Sequence, residues 1–131
     1  MLTHALPLLL CHVCCGFPSP ADDFRETVLD LNDLVMTHPA ATFYVRVSGD
    51  SMRQAAIGDG DILVVDRAQE AHHQDIVLVR LNGAFTVKRL YQQDGKRALL
   101  SENPRYSPML ITEEMDFQVW GVVTYCIHRV S

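Results

Sequence analysis

The sequence predicts a mostly β domain with one short helix near its start, preceded by an extended N-terminal arm. Three observations carry that expectation. From residue 42 onward, short runs rich in Val, Ile, Thr, Phe and Tyr recur with period-two alternation. Asn82-Gly83, the strongest two-residue hairpin signal, stands between two of these runs. Only the stretch after Asp30 places apolar residues (Leu31, Leu34, Val35) on one helical face.

Taken in order, residues 1–15 form a short apolar arm, and Gly16 to Asp23 (GFPSPADD) is too rich in Gly, Pro, Ser and Asp for a helix, so it reads as an exposed, extended linker. These segments give an arm and linker over 1–26 and a body over 27–131. Asp30 caps the helix, Asp33 lies in its first turn and Pro39 stops it. Strands follow at Thr42–Ser48, at Asp61–Asp66 after the Gly58-Asp59-Gly60 turn, and at Asp75–Leu81 and Ala84–Leu90 on either side of Asn82-Gly83. The last two are expected at Arg97–Ser101 and Phe117–Val130.

At 131 residues the chain can bury a core without disulfide staples. Its 11 basic and 16 acidic residues leave a net charge of −5, which argues against a body that grips a phosphate backbone directly. Any link to nucleic acid then runs through a protein partner. Cys11, Cys14 and Cys15 crowd into five positions and only Cys126 is distant, a poor disulfide framework that points to reduced thiols and a cytoplasmic location. A zinc site at Cys11-x-x-Cys14 would need a second ligand pair, and only Cys126 with His128 is on offer, so no metal is expected. The apolar start lacks a basic residue before its Leu run, is interrupted by Pro7 and has bulky Leu10 before Cys11, which argues against an export signal. No run approaches the roughly 20 apolar residues that span a bilayer.

Ser48-Gly49-Asp50-Ser51-Met52 follows the first strand of the body. A serine in such a turn exposes its hydroxyl near backbone N–H groups able to face an oxyanion, although Ser-Gly turns at strand ends are common for structural reasons alone. Lys88, in Phe85-Thr86-Val87-Lys88-Arg89-Leu90, shares a strand face with Thr86. Taken singly it reads as a solvated edge charge. As a base it would have to be desolvated and free of a carboxylate, because a lysine of pKa about 10.4 is neutral in roughly one molecule in a few thousand at pH 7. His72-His73 beside Asp75 invites a triad or metal reading, but adjacent strand residues point to opposite faces, so a loop is the better account. Met52 either lines a cleft or packs, and Trp120 and Cys126 read as core.

Several motifs in fixed order carry a resemblance. GDSM, then IGDGDILVVD, HQDIVLV, NGAFTVKRL, SENPRYSPMLI and VWGVV resemble the S24 family of self-cleaving serine peptidases, which includes LexA and phage repressors. CGFPSPADDF and HPAATFYVRVSGDSM are similar to its UmuD-like branch. The resemblance covers nearly the whole chain from Cys15 onward. It implies a LexA/signal-peptidase-like β fold with Ser51 as nucleophile, Lys88 as general base and the backbone amides of Asp50 and Ser51 as oxyanion hole. The cut falls at Cys15-Gly16, and no cofactor is needed. It also implies a homodimer in the SOS response, cleavage stimulated by a RecA filament on single-stranded DNA, and a trimmed product that serves a UmuC-like Y-family polymerase in translesion synthesis. The N-terminal helix-turn-helix of LexA is missing, and the arm before the cut is short. Two other readings stay open: a dimeric interaction protein that scarcely cleaves, and a signal-peptidase-like enzyme acting on other proteins.

Overall fold

Asp30 caps helix α1 (Leu31–Val35) as its spacing predicts, its carboxylate accepting from the Asn32 N–H at 2.9 Å. The helix is a single turn, ended before a 3₁₀ turn at Pro39–Ala41. The computed structural model describes residues 5–9, 15–16 and 26–130, and the chain divides into two compact units, Met1–Thr37 and His38–Ser131. The first unit holds α1 and an antiparallel pair, β1 (Leu6–Leu9) with β2 (Glu26–Leu29), in register Leu6–Leu29 and Pro7–Val28. That pairing is not foreseen by reading 1–15 as a simple arm. Most of the Gly16–Asp23 linker and the Cys11 and Cys14 positions lie outside the described residues.

The second unit is one antiparallel seven-stranded sheet in the order β3-β4-β9-β5-β6-β7-β8, so the mostly β expectation holds. Its strands are β3 (Thr42–Arg46), β4 (Ile62–Asp66), β5 (Ile76–Leu81), β6 (Ala84–Gln93), β7 (Lys96–Leu100), β8 (Met109–Leu110) and β9 (Phe117–Ile127). Asn82 and Gly83 both take positive φ (49° and 84°), as a tight β5–β6 turn requires. Asp94-Gly95 repeats the device between β6 and β7 with φ of 55° and 73°. β6 is therefore longer than the Ala84–Leu90 run suggests, and β9 stops short of Val130 because residues 128–130 find no ladder partner.

β9 is the organising strand, bonded to β4 on one side and β5 on the other. Its register slips once against each neighbour, between Val64 and Val65 on β4 and between Leu78 and Val79 on β5. Such bulges bend a strand and increase its twist. At one of them Gly121 crosses so close to β4 that an added methyl would sit 2.6 Å from Val65 Cγ1. The alternation then sorts the core into two clusters. Leu63, Val65 and Leu78 pack with Met52 and Ile57 on one side, and Val77, Val79, Leu90 and Leu99 pack on the other. Each fully buried Val or Leu contributes about 1.5–3 kcal/mol. The sheet coils enough for β3 and β6, separated by three strands in its order, to line one cleft.

Candidate active site

Val45, Val47, Leu78, Phe85 and Val87 give this cleft an apolar wall, and Ser48, Gly49, Ser51 and Thr86 give it a polar rim. Its volume is about 190 Å³, below the ~300 Å³ at which ligand pockets begin. It has room for a small side chain on an extended strand, not for a bulky metabolite. Met52 both packs in the core and lines the cleft, so the two readings of that residue are not exclusive.

The turn carrying Ser51 is held from two directions. From below, the Gly58–Asp61 turn clasps the end of β3: Gly60 N–H donates to Val47 O, Val47 N–H to Asp61 O, and Gly49 N–H to the Asp59 carboxylate. From the side, the segment after β7 reaches across. Gln54 N–H donates to Glu102 O at 2.8 Å, the Asn103 amide to Asp50 O at 2.9 Å, and the Tyr106 hydroxyl to Asp50 Oδ1 at 2.7 Å. The Tyr106 hydrogen bond, the largest influence on that carboxyl, holds Asp50 below the usual carboxylate range, and the same contact raises the Tyr106 phenol. Among the described residues no hydrogen bond uses the Ser51 hydroxyl or the N–H groups of Asp50 and Ser51.

Lys88 sits in mid-β6, two residues beyond Thr86 and thus on the same strand face. It is partly buried, and desolvation pushes its amine below the ordinary lysine range. Among the described residues it has no carboxylate partner. Its hydrogen bond goes to Ser101 Oγ at 2.7 Å, and Ser51 makes none with it. The amine also lies 5.5 Å from the centroid of the Tyr106 ring. Next along the strand, Arg89 pairs with Glu102. Consecutive cations of β6 therefore anchor consecutive residues of the segment that clasps the Ser51 turn. Ser101, Glu102, Asn103 and Tyr106 lie in the SENPRYSPMLI stretch, which carries the resemblance without giving any of them a role, and the Asn103-Pro104 step shortly after β7 is a turn signal.

Cys15 and Gly16 belong to the other unit, where both are exposed and Gly16 takes φ 139°, a conformation that favours glycine. His72 and His73 lie in the turn entering β5: His72 N–H donates to Asp75, and His73 Nδ1 accepts from Gln92 N–H. They brace that turn and do not line the cleft. Cys126 and His128 both bond the buried Asp61 carboxylate. No helix among the described residues is long and apolar enough to cross a membrane.

Residues 7–124 match the family described as Peptidase S24-like. The chain is similar to Protein ImpA of Salmonella typhimurium, 43% identical over 133 residues that cover 97% of this chain and 86% of the relative. It is similar also to Protein SamA of Salmonella typhimurium strain LT2, at 48% over 123 residues (94% and 85%). Protein MucA of Escherichia coli follows at 38% over 125 residues (95% and 85%).

Proposed function

The chain belongs to the Peptidase S24-like family, and on that premise we propose that it is a self-cleaving serine peptidase in which Ser51 attacks the Cys15-Gly16 bond and Lys88 is the base. The observation that carries this reading is the setting of Lys88, a partly desolvated amine bonded to a neutral hydroxyl and free of carboxylates among the described residues. A solvated edge lysine has no reason to be so.

Neutral Lys88 removes the Ser51 proton as Ser51 Oγ adds to the Cys15 carbonyl. The N–H groups of Asp50 and Ser51 receive the oxyanion. Collapse of the tetrahedral adduct breaks the Cys15–Gly16 bond, and lysinium protonates the departing Gly16 amine. Water, giving its proton to Lys88, then hydrolyses the acyl-serine. The small cleft suits the short Cys15 side chain, and tethering the substrate to the enzyme's own chain keeps its local concentration high.

In the same reading the trimmed product, residues 16–131, acts as a dimeric accessory subunit of a UmuC-like Y-family polymerase in SOS mutagenesis. A RecA filament on single-stranded DNA raises the rate of the cut by shifting the arm into the cleft. The support for these partners is family membership and the likeness of the chain to UmuD-like sequences, not geometry. The test is incubation of the purified protein at mildly alkaline pH, with and without RecA filaments. A fragment starting at Gly16, absent in Ser51→Ala and in Lys88→Ala, is the expected result. An intact chain under every condition would leave the dimeric interaction protein as the better description.

A further inference from the structure

Asn103 is a buried amide, 2% exposed, whose hydrogen bonds point to a specific task. Its Oδ1 accepts from Arg105 N–H at 3.0 Å, and that assigns Nδ2 as the end donating to Asp50 O at 2.9 Å. Asp50 O also accepts the Arg53 N–H at 3.2 Å, so both lone pairs of that carbonyl are used. The carbonyl belongs to the Asp50–Ser51 peptide, which like every described peptide bond is trans. In a planar trans peptide the C=O and the following N–H point in opposite directions. Two donors on Asp50 O therefore fix the direction of the Ser51 N–H, and by polarising the amide they make it a better donor.

We propose that Asn103 is a positioning residue for the reaction: through the Asp50–Ser51 peptide plane it aims the Ser51 N–H at the developing oxyanion. This rests on the serine-peptidase reading above and deepens it. The Tyr106–Asp50 contact is a useful contrast, since it holds the Asp50 side chain and not its carbonyl.

The experiment compares the full-length chain with Asn103→Asp, Asn103→Ala and Tyr106→Phe. It measures self-cleavage across pH, thermal melting, and affinity for a peptide aldehyde ending at the Cys15 carbonyl beside the matching peptide alcohol. The aldehyde forms a tetrahedral adduct on Ser51 and needs the oxyanion donor, whereas the alcohol needs only the cleft. Loss of one oxyanion donor lowers rates about 100- to 1,000-fold; a donor that is misaimed rather than removed should cost about tenfold or more. The expected result for both Asn103 variants is a lower plateau rate, and weaker aldehyde binding with unchanged alcohol binding; in Asn103→Ala, which adds no charge near Lys88, the pH inflection should also stay in place. Tyr106→Phe should keep most of the aldehyde preference. Where N103D does not fold, N103A, which sets no carboxylate oxygen against the Asp50 carbonyl, carries the comparison. A wild-type plateau, a displaced inflection in Asn103→Ala or an equal loss of both ligands would overturn the assignment of Asn103. Cleavage that survives Ser51→Ala would instead remove the peptidase reading itself.

Discussion

The Lys88 amine donates to the Ser101 hydroxyl at 2.7 Å and meets no carboxylate among the described residues. In the proposed mechanism only the neutral amine has a lone pair for the Ser51 proton, so cleavage is active above the Lys88 pKa and silent below it. Desolvation lowers that pKa, and the active range therefore reaches further toward neutrality than an ordinary lysine, at about 10.4, would permit. The rate at which the Gly16 fragment appears should rise with pH to a plateau, with an inflection below the free-lysine value. An inflection at or above that value would contradict a desolvated base.

Ser101 holds the charged form, because its oxygen accepts from the ammonium. In Ser101→Ala that acceptor is gone, the ammonium loses a stabilising partner, and the inflection should move toward acid. The plateau rate should fall at the same time, since the amine is no longer held by β7. Opposite effects on the two parameters are the signature, readable from one pH series of gel-resolved cleavage. A rate loss without an acid shift would show that Ser101 acts on folding alone.

The hydroxyl of Ser51 has no hydrogen-bond partner among the described residues, so its removal should cost little stability. Ser51→Ala should abolish cleavage while its denaturant-derived unfolding free energy stays within about 0.5 kcal/mol of wild type. Destabilisation by several times that amount would mean the residue is structural and the loss of activity indirect.

The fold was legible where one local signal suffices. Asp30 before Leu31–Val35 marked the helix, Asn82-Gly83 marked the central hairpin, and the Val- and Ile-rich runs marked β3 to β6. Asp94-Gly95 is the same kind of turn signal and explains why β6 continues to Gln93. What stayed hidden depends on pairing at a distance. Four residues around Pro7 become a strand only because Glu26–Leu29 lies beside them, and two-residue β8 exists only on the edge of β7. The same holds for the candidate site. Ser51, Lys88 and the SENPRYSPMLI stretch all stand in recognisable motifs, but Ser101, Asn103 and Tyr106 acquire a role only when folding lays their segment against the Ser51 turn.

Asp61 is buried, and its carboxyl is held below the usual carboxylate range, first by the Gly58 N–H and then by His128. A depressed aspartate pKa contributes stability that is present above the unfolded value of about 3.9 and is lost as pH falls through the lower folded value. Asp61→Asn should therefore lower stability at pH 7 and flatten its pH dependence below about pH 4. Urea titrations at a series of pH values measure both. Equal slopes for the two proteins in the acid range would show that Asp61 is not among the groups driving acid unfolding.

Two cysteines in the described residues should differ sharply in reactivity. Cys15 is exposed, whereas Cys126 is partly buried on β9 with its Sγ donating to Asp61 Oδ2 at 3.3 Å. Desolvation, reinforced by the neighbouring carboxylate, pushes the Cys126 thiol up to about 11. Alkylating reagents attack the thiolate, so at pH 8 Cys126 should be far slower than Cys15. In Asp61→Asn the carboxylate charge is gone while burial remains, and Cys126 alkylation should accelerate without reaching the Cys15 rate. Mass spectrometry of peptides after timed alkylation of the native protein reads both sites in one sample. Matching rates at Cys15 and Cys126 would mean that β9 opens readily at its end and that the Asp61 tie does not hold it.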